Sequence, residues 1–284
     1  MLRKTKPPPS GPKRRTQTRL HLVVPDTHTR PEDENITRAL WVSRLIDELR
    51  PSTIIHLGDN WNLDSLADFD LDKPIARVSR NYQADLNAGH EFLDAMFSSV
   101  RKAKHRYSPR RIYCVGNHEY RLGKVLARQP ELAGTIGYGD LDLPKYFDEI
   151  AWYEGTTPSV IVADGVSYCH HAVSGLMCRP ISGTHIGYSL IQKLHSTTVV
   201  GHAHILSYAQ TVIPSTNRRI HGLCSGIYIG EDTKFDYCGV GGKQYARGLS
   251  VLRNVEDGDF DFQWVSVGQM QRLYGGNAGR NLKP

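Results

Sequence analysis

"RIYCVGNHEYRL", residues 111–122, carries a short apolar run into Gly116, Asn117, His118 and Glu119, with no apolar residue to close it. Strands end in turns, and turns use Gly and Asn. This stretch alone therefore fits either a turn or a site, and the other strand ends decide. "LHLVV" (20–24) passes through Pro25 into Asp26-Thr27-His28, and "TIIHL" (53–57) passes into Gly58-Asp59-Asn60. "VSYC" (166–169) is followed by His170-His171, and "TTVV" (197–200) by Gly201-His202-Ala203-His204. Five apolar runs thus end in carboxylate, carboxamide or imidazole groups.

Between the first three runs lie helical patterns. Residues 33–49 place Ile36, Leu40, Leu45, Ile46 and Leu49 at helical spacing, and Pro51 stops the helix. Residues 79–104 place Tyr82, Leu86, Phe92, Leu93, Met96, Phe97 and Val100 on one face. Strand–helix alternation predicts parallel pairing. Shorter helices are expected at 119–128 and 185–194. The second half reads as mostly antiparallel β: two strands around the Asp164-Gly165 turn, then strands near 205–213, 218–223, 249–255 and 260–266. "EDGD" (256–259) forms the last hairpin turn. One α/β domain over residues 20–270, a double β-sheet sandwich flanked by helices, fits both halves, with 271–284 as a C-terminal tail.

The chain has 284 residues, 39% apolar and 23% charged, in the range of ordinary globular proteins. No apolar run approaches the length that crosses a bilayer, so a membrane partner is not expected. The formal charge of +6 is local. Residues 1–19 hold seven basic residues and no acid, leaving 28 basic against 29 acidic residues in the rest. This Pro-rich segment reads as a flexible basic tail, either an arm that holds nucleic acid through its phosphates or a solubilising extension. The cysteines number five, without a C-x-x-C pair, and no apolar signal segment precedes them. Free thiols in a reducing compartment follow, the cytoplasm of a bacterial or phage-infected cell. Cys114 and Cys169 read as core.

In layered sheets with parallel strands, ligand sites gather at the carboxyl ends, so the five endings are expected to converge on one crevice. Carboxylate oxygen mixed with imidazole nitrogen suits hard or borderline divalent metals. The donors exceed what one ion takes and suit a pair, roughly 3.5–4 Å apart. A carboxylate between two cations offsets their repulsion, and Asp59 is the natural bridge.

With these residues the chain resembles the calcineurin-like metallophosphoesterase superfamily: the pattern D-x-H, G-D, G-N-H-[ED], H, G-H-x-H is complete from Asp26 to His204. The layout is most similar to phage-encoded members, themselves similar to DNA double-strand-break repair nucleases. The resemblance implies the double-sheet fold and one metal on Asp26, His28 and His204. It implies a second on Asn117, His202 and one of His170 and His171, with Asp59 bridging. Ala172 as the stand-in for the family's Gly points to His171, leaving His170 as the alternative. Manganese is the first expectation, with iron, zinc and nickel compatible.

The implied reaction is hydrolysis of a phosphodiester, DNA or RNA among the candidate substrates, by a water acidified between the metals. His118 stays unliganded and donates a proton to the leaving oxygen. Glu119 either orients His118 or opens the helix at 119–128, where an acid suits the dipole; the second reading is preferred. Arg121 and Trp61 are candidate substrate contacts, while Trp41 and Tyr82 read as core, and His56 and His221 as structural. A phosphomonoesterase or protein phosphatase is the alternative enzyme, but "GDNWNLDSL" lacks the Asp-Arg-Gly that Ser/Thr phosphatases carry after Gly-Asp. A non-catalytic nucleic-acid-binding scaffold is the third reading.

Overall fold

The runs LHLVV, TIIHL and RIYCV are apolar on both faces, which requires cover on both sides of the sheet they build. The computed structural model of the protein describes residues 19–67, 80–233 and 242–277. The basic segment up to residue 18 and the last seven residues lie outside that range, as does Cys238. In chain order the first strands are β1 (Arg19–Val24), β2 (Thr53–His56), β3 (Arg110–Cys114) and β4 (Glu149–Ala151). Then come β5 (Ile161–Ala163), β6 (Val166–Cys169), β7 (Thr198–Val200), β8 (Leu206–Ile213) and β9 (Arg218–Ser225). The last are β10 (Gly248–Glu256) and β11 (Asp259–Ser266).

One sheet has the order β11-β10-β1-β2-β3-β4, and the other β8-β9-β7-β6-β5. Both are mixed. β1 through β4 run parallel, with β10 and β11 antiparallel beside them. In the other sheet β6, β7 and β9 run parallel between antiparallel edges. An apolar cluster joins Val23, Ile55, Ile112 and Cys114 of the first sheet to Val166, Tyr168, Val199 and Leu223 of the second. The α/β class is as expected.

Helices cover the outer faces: α1 (Asn35–Leu49), α2 (Tyr82–Met96), α3 (Arg121–Arg128), α4 (Ile186–Leu194) and α5 (Val267–Tyr274). α1, α2 and α5 pack on the first sheet through Val42, Ile46, Phe92, Leu93 and Met270. α4 packs on the second through Ile186 and Leu190, against Cys169, Val200 and Cys224. Among the described residues Cys114, Cys169, Cys178 and Cys224 are free thiols, and no helix is long and apolar enough to cross a membrane.

Three local expectations are corrected. The buried face of α1 is Arg38, Ala39, Val42, Leu45 and Ile46, whereas Ile36 is 49% exposed. Periodicity misplaced this face because Arg38 lies inside it, its guanidinium donating to the Tyr228 carbonyl and to Asn35. The helix expected over 79–104 breaks at Phe97; Ser43 Oγ then accepts from the Ser99 N–H (3.0 Å) and starts a short helix, Ser98–Ala103. Finally, α5 continues past residue 270 to Tyr274, which is buried and donates its hydroxyl to Glu48 at 2.6 Å.

A polar link crosses between the sheets. His21, fully buried on β1, meets the Asp164 carboxylate through Nε2 (2.9 Å) and the Tyr168 hydroxyl through Nδ1 (2.7 Å). A carboxylate only accepts, so Nε2 carries the proton and Nδ1 accepts from Tyr168. Burial, then the nearby Arg110 and Arg19 charges, lowers the His21 pKa to about 3. Its unfolded value is near 6.5, so below that pH the unfolded chain binds a proton that the folded chain refuses. The His21 contribution is therefore constant above pH 6.5 and falls as pH drops from 6.5 towards 3. Urea unfolding is expected to show that fall in the wild type and a shallower one in His21→Leu. Tyr168→Phe, which leaves Nδ1 buried without a donor, is expected to cost roughly 1–3 kcal/mol at pH 7.

Candidate metal centre

Each parallel strand that reaches the crevice ends in a tight backbone turn, and those turns are locked to one another. Thr27 and His28 donate their N–H groups to the Asp59 carbonyl (3.1 and 2.9 Å), and Thr29 donates to the Asn60 carbonyl (2.8 Å). Gly201 N–H donates to the His170 carbonyl (2.9 Å), and Tyr228 N–H to the Asp26 carbonyl (2.8 Å). The two sheets meet at Asp26: its carboxylate accepts from the His202 N–H at 3.0–3.1 Å.

The turns are held in costly conformations. His28, Asp59, His202 and His204 have φ of 40°, 48°, 66° and 61°, in the left-handed region that side chains rarely adopt; such strain is of order 1–3 kcal/mol per residue. The glycines beside them keep space clear. A Cβ on Gly116 would stand 2.1 Å from Asp59 Oδ1, and one on Gly201 would stand 2.2 Å from Asp26 Oδ1.

The side chains converge as the sequence anticipates. Ligand atoms of Asp26, His28 and His204 lie within 4.8 Å of one another, and so do those of His28, Asp59 and His118. The same holds for Asp26, Asp59 and His170, and for His170, His171 and His202. Asp59 Oδ2 is central, 3.4 Å from His170 Nε2, 3.8 Å from His28 Nε2 and 3.9 Å from His118 Nε2. Asn117 joins through Oδ1, 3.0 Å from His170 Nε2. Asp26, His28, Asp59 and His170 are buried, while Asn117, His171 and His202 are half-buried and mark the open side.

Hydrogen bonds behind the rings decide where the lone pairs point. Asp64 accepts from Asn62 Nδ2 (2.7 Å), which turns Asn62 Oδ1 towards His28 Nδ1 (2.9 Å). His28 therefore carries its proton on Nδ1 and aims the Nε2 lone pair inward. His170 donates Nδ1–H to the Leu57 carbonyl (2.7 Å), and His118 donates Nδ1–H to the Asn62 carbonyl (2.7 Å). Outward anchoring of one ring nitrogen is the arrangement that orients histidine ligands in metal sites. Around His28 the consequence is acute. Its Nε2 lies 3.1 Å from His204 Nε2 and 3.8 Å from Asp59 Oδ2, and His204 Nε2 lies 3.0 Å from Asp26 Oδ2, a mixed nitrogen and oxygen set of the kind that takes a divalent cation. A divalent cation satisfies all four atoms. The residues present thus fit a metal.

Charge agrees. Burial alone would raise both carboxyls, but the His170 charge, the largest opposing influence, brings Asp26 down to about 2 and Asp59 well below the ordinary range. Burial likewise works against a charge on His170, yet Asp59 and Asp26 raise it to about 10. Burial is the main cause that keeps His28, His118, His171 and His202 below their usual value and neutral near pH 7. Two carboxylates thus face one imidazolium, an excess of negative charge.

Two sequence readings change, those of Trp61 and Glu119, while the His170–His171 pair stays together at the site. His170 faces Asp59 and Asn117, and His171 sits beside His202, ring centroids 4.9 Å apart, with its ligand atom within 4.8 Å of those of His170 and His202, so both histidines of the pair belong to the donor cluster. Trp61 is corrected from substrate contact to core: it is fully buried, its indole N–H donates to the Leu86 carbonyl (3.0 Å), and α2 lies flush on it at Gly89. Glu119 neither orients His118 nor opens the helix, which starts at Arg121. It is fully buried and accepts from the N–H groups of Asp59 (2.9 Å), Gly116 (2.9 Å) and Trp61 (3.2 Å) and from the Tyr113 hydroxyl (3.0 Å). Burial and the Asp59 charge push its pKa up to about 7. Arg121 does stand at the site, donating to the Asn62 carbonyl (2.8 Å) and to His118 Nε2 (3.2 Å). Sequence reasoning missed Asn62; no local signal connects it to a histidine 34 positions away.

A groove of about 1150 Å³ lies at the opposite end of β1, between Arg19, Arg50, Tyr107 and Arg253, and holds none of these ligand groups. No protein-family model matches the chain, and no curated protein matches it significantly.

Two outcomes are expected from metal titration. His170→Ala lowers affinity for Mn²⁺ by at least about a hundredfold, while His171→Ala changes it less. Glu119→Gln, which replaces one acceptor oxygen by a donor facing buried N–H groups, lowers both the thermal midpoint and the metal affinity.

Proposed function

We propose that this chain is a metal-dependent phosphoesterase of the calcineurin-like metallophosphoesterase superfamily, cleaving phosphodiester bonds of nucleic acid. One observation carries the reading: carboxylate, carboxamide and imidazole groups from the ends of five strands converge on one crevice around Asp59 Oδ2. Asp26, His28 and His204 would hold one divalent ion. Asn117, His170 and His202 would hold a second, and Asp59 would bridge. When bound, such ions supply Lewis acidity and acidify water.

The remaining roles belong to the chain itself. Asp26 and Asp59 stay ionised at neutral pH, so no proton competes at their oxygens. His118 keeps Nδ1–H on the Asn62 carbonyl, so Nε2 is the atom that exchanges a proton with a leaving oxygen. Arg121 Nη2 occupies Nε2 in this structure, and substrate would have to take its place. The freed guanidinium edge then meets a phosphate oxygen. The half-buried side formed by Asn117, His171 and His202 gives an extended ester its way in.

The experiment is a hydrolysis screen of bis-p-nitrophenyl phosphate, p-nitrophenyl phosphate and single- and double-stranded oligonucleotides. It is repeated with manganese, iron, zinc and nickel, and after chelation. Diester cleavage that chelation abolishes and manganese restores is the expected result. Asp59→Asn is expected to reduce it by about a hundredfold or more, and His118→Asn to reduce it while metal binding persists. Absence of hydrolysis of every ester with every metal would sink the proposal.

A further inference from the structure

The most exposed large apolar side chains among the described residues are neighbours, Leu176 at 104% and Met177 at 75%. They form the tip of a small hairpin, Val173–Ser174 paired antiparallel with Arg179–Pro180, that starts two residues after His171. Gly175, Leu176, Met177 and Cys178 make its turn, closed by the Cys178 N–H donating to the Gly175 carbonyl at 3.1 Å.

The foot of this hairpin is fixed. There the Ile181 N–H donates to the Ala172 carbonyl at 2.8 Å. Both side chains are buried with Cys169 of β6 and with Ile186 and Leu190 of α4. The core thus holds the foot and leaves the tip in solvent. Turns ordinarily carry Gly, Pro, Asn, Asp or Ser. Leu and Met at the two central positions gain nothing from folding, because neither is removed from water. His171 lies five positions before Leu176, so the tip stands within roughly 17 Å of that histidine.

Resting on the phosphoesterase reading, we infer that this tip is a wedge: Leu176 and Met177 enter the base stack of a nucleic acid whose backbone lies at the metal centre. The chemistry selects bases. Phosphates are drawn to cationic groups, and an apolar tip offers them nothing. The stacked bases are the apolar part of such a substrate, and Leu and Met are among the side chains that wedge between base steps. Arg179, exposed on the returning strand beside the turn, would meet the phosphate next to the opened step. At about 3.4 Å per nucleotide, the reach of the hairpin puts that step within about five nucleotides of the scissile phosphate. The wedge positions the strand and takes no part in the bond breaking.

Two double variants test this. Leu176→Ser with Met177→Ser removes the apolar tip, and Leu176→Met with Met177→Leu keeps it. Wild type and both variants, loaded with Mn²⁺, are compared in kcat/KM for bis-p-nitrophenyl phosphate and for a duplex oligonucleotide. Stopped-flow fluorescence follows 2-aminopurine placed at successive positions of that duplex. The first variant is expected to lose about tenfold in the ratio of duplex to small-diester kcat/KM. It is also expected to lose the rise in 2-aminopurine fluorescence that marks an opened step, while the second variant keeps both. An equal ratio, or equal fluorescence, in wild type and first variant would overturn the wedge and leave the phosphoesterase intact. Cleavage of the small diester with no cleavage of duplex would do the same. So would sedimentation in which the first variant turns a wild-type dimer into monomers, because the tip would then be a contact between copies of this chain. A wild type that hydrolyses neither ester would take down the functional reading, and the wedge with it.

Discussion

Asp59 is the constraint on which the crevice depends. Its N–H is held by Glu119, its carbonyl accepts from Thr27 and His28, and its Oδ1 accepts from the His118 N–H at 2.8 Å. Only Oδ2 is left for the imidazoles of His28, His118 and His170. These contacts come from three separate segments, 27–28, 118–119 and 170, so moving this one carboxylate disturbs the ends of β1, β2, β3 and β6 together. A buried carboxylate is costly unless its lone pairs are met by donors or cations. Here hydrogen bonds meet one side and leave the other for a cation.

Backbone strain at His28, Asp59, His202 and His204 fits that picture. Left-handed conformations at four such residues are unfavourable, and they persist because the surrounding hydrogen bonds over-determine the turns. Glu119 contributes most, gathering three N–H groups and a hydroxyl on one carboxylate. Its raised pKa is the counterpart of that position: a second acid, buried beside Asp59, serves the backbone and leaves the crevice-facing position to its neighbour.

The chain announced its strands and its crevice clearly. Apolar runs ending in Asp, Asn or His mark strand ends, because no core-forming segment would otherwise stop on such groups. The Asp164-Gly165 turn and the hairpin at 256–259 were equally plain. What stayed hidden depended on distant partners. Trp61 looked available because it borders Asn60, yet α2 closes over it at Gly89, a contact between segments far apart in sequence. The α1 face was misjudged because a buried arginine interrupts its apolar stripe. Glu119 resembled a helix-opening acid until its four donors came into view.

The topology also sets the order in which the crevice can be completed. β1, the first strand, lies between β2 and β10, and its Asp26 contacts His204 across 178 positions. Contacts of such separation carry a large loop-closure cost and form late. A chain emerging from the ribosome therefore carries Asp26 for most of its synthesis without His204. The part of the donor cluster that includes His202 and His204 is therefore assembled only once the last third of the chain has been made.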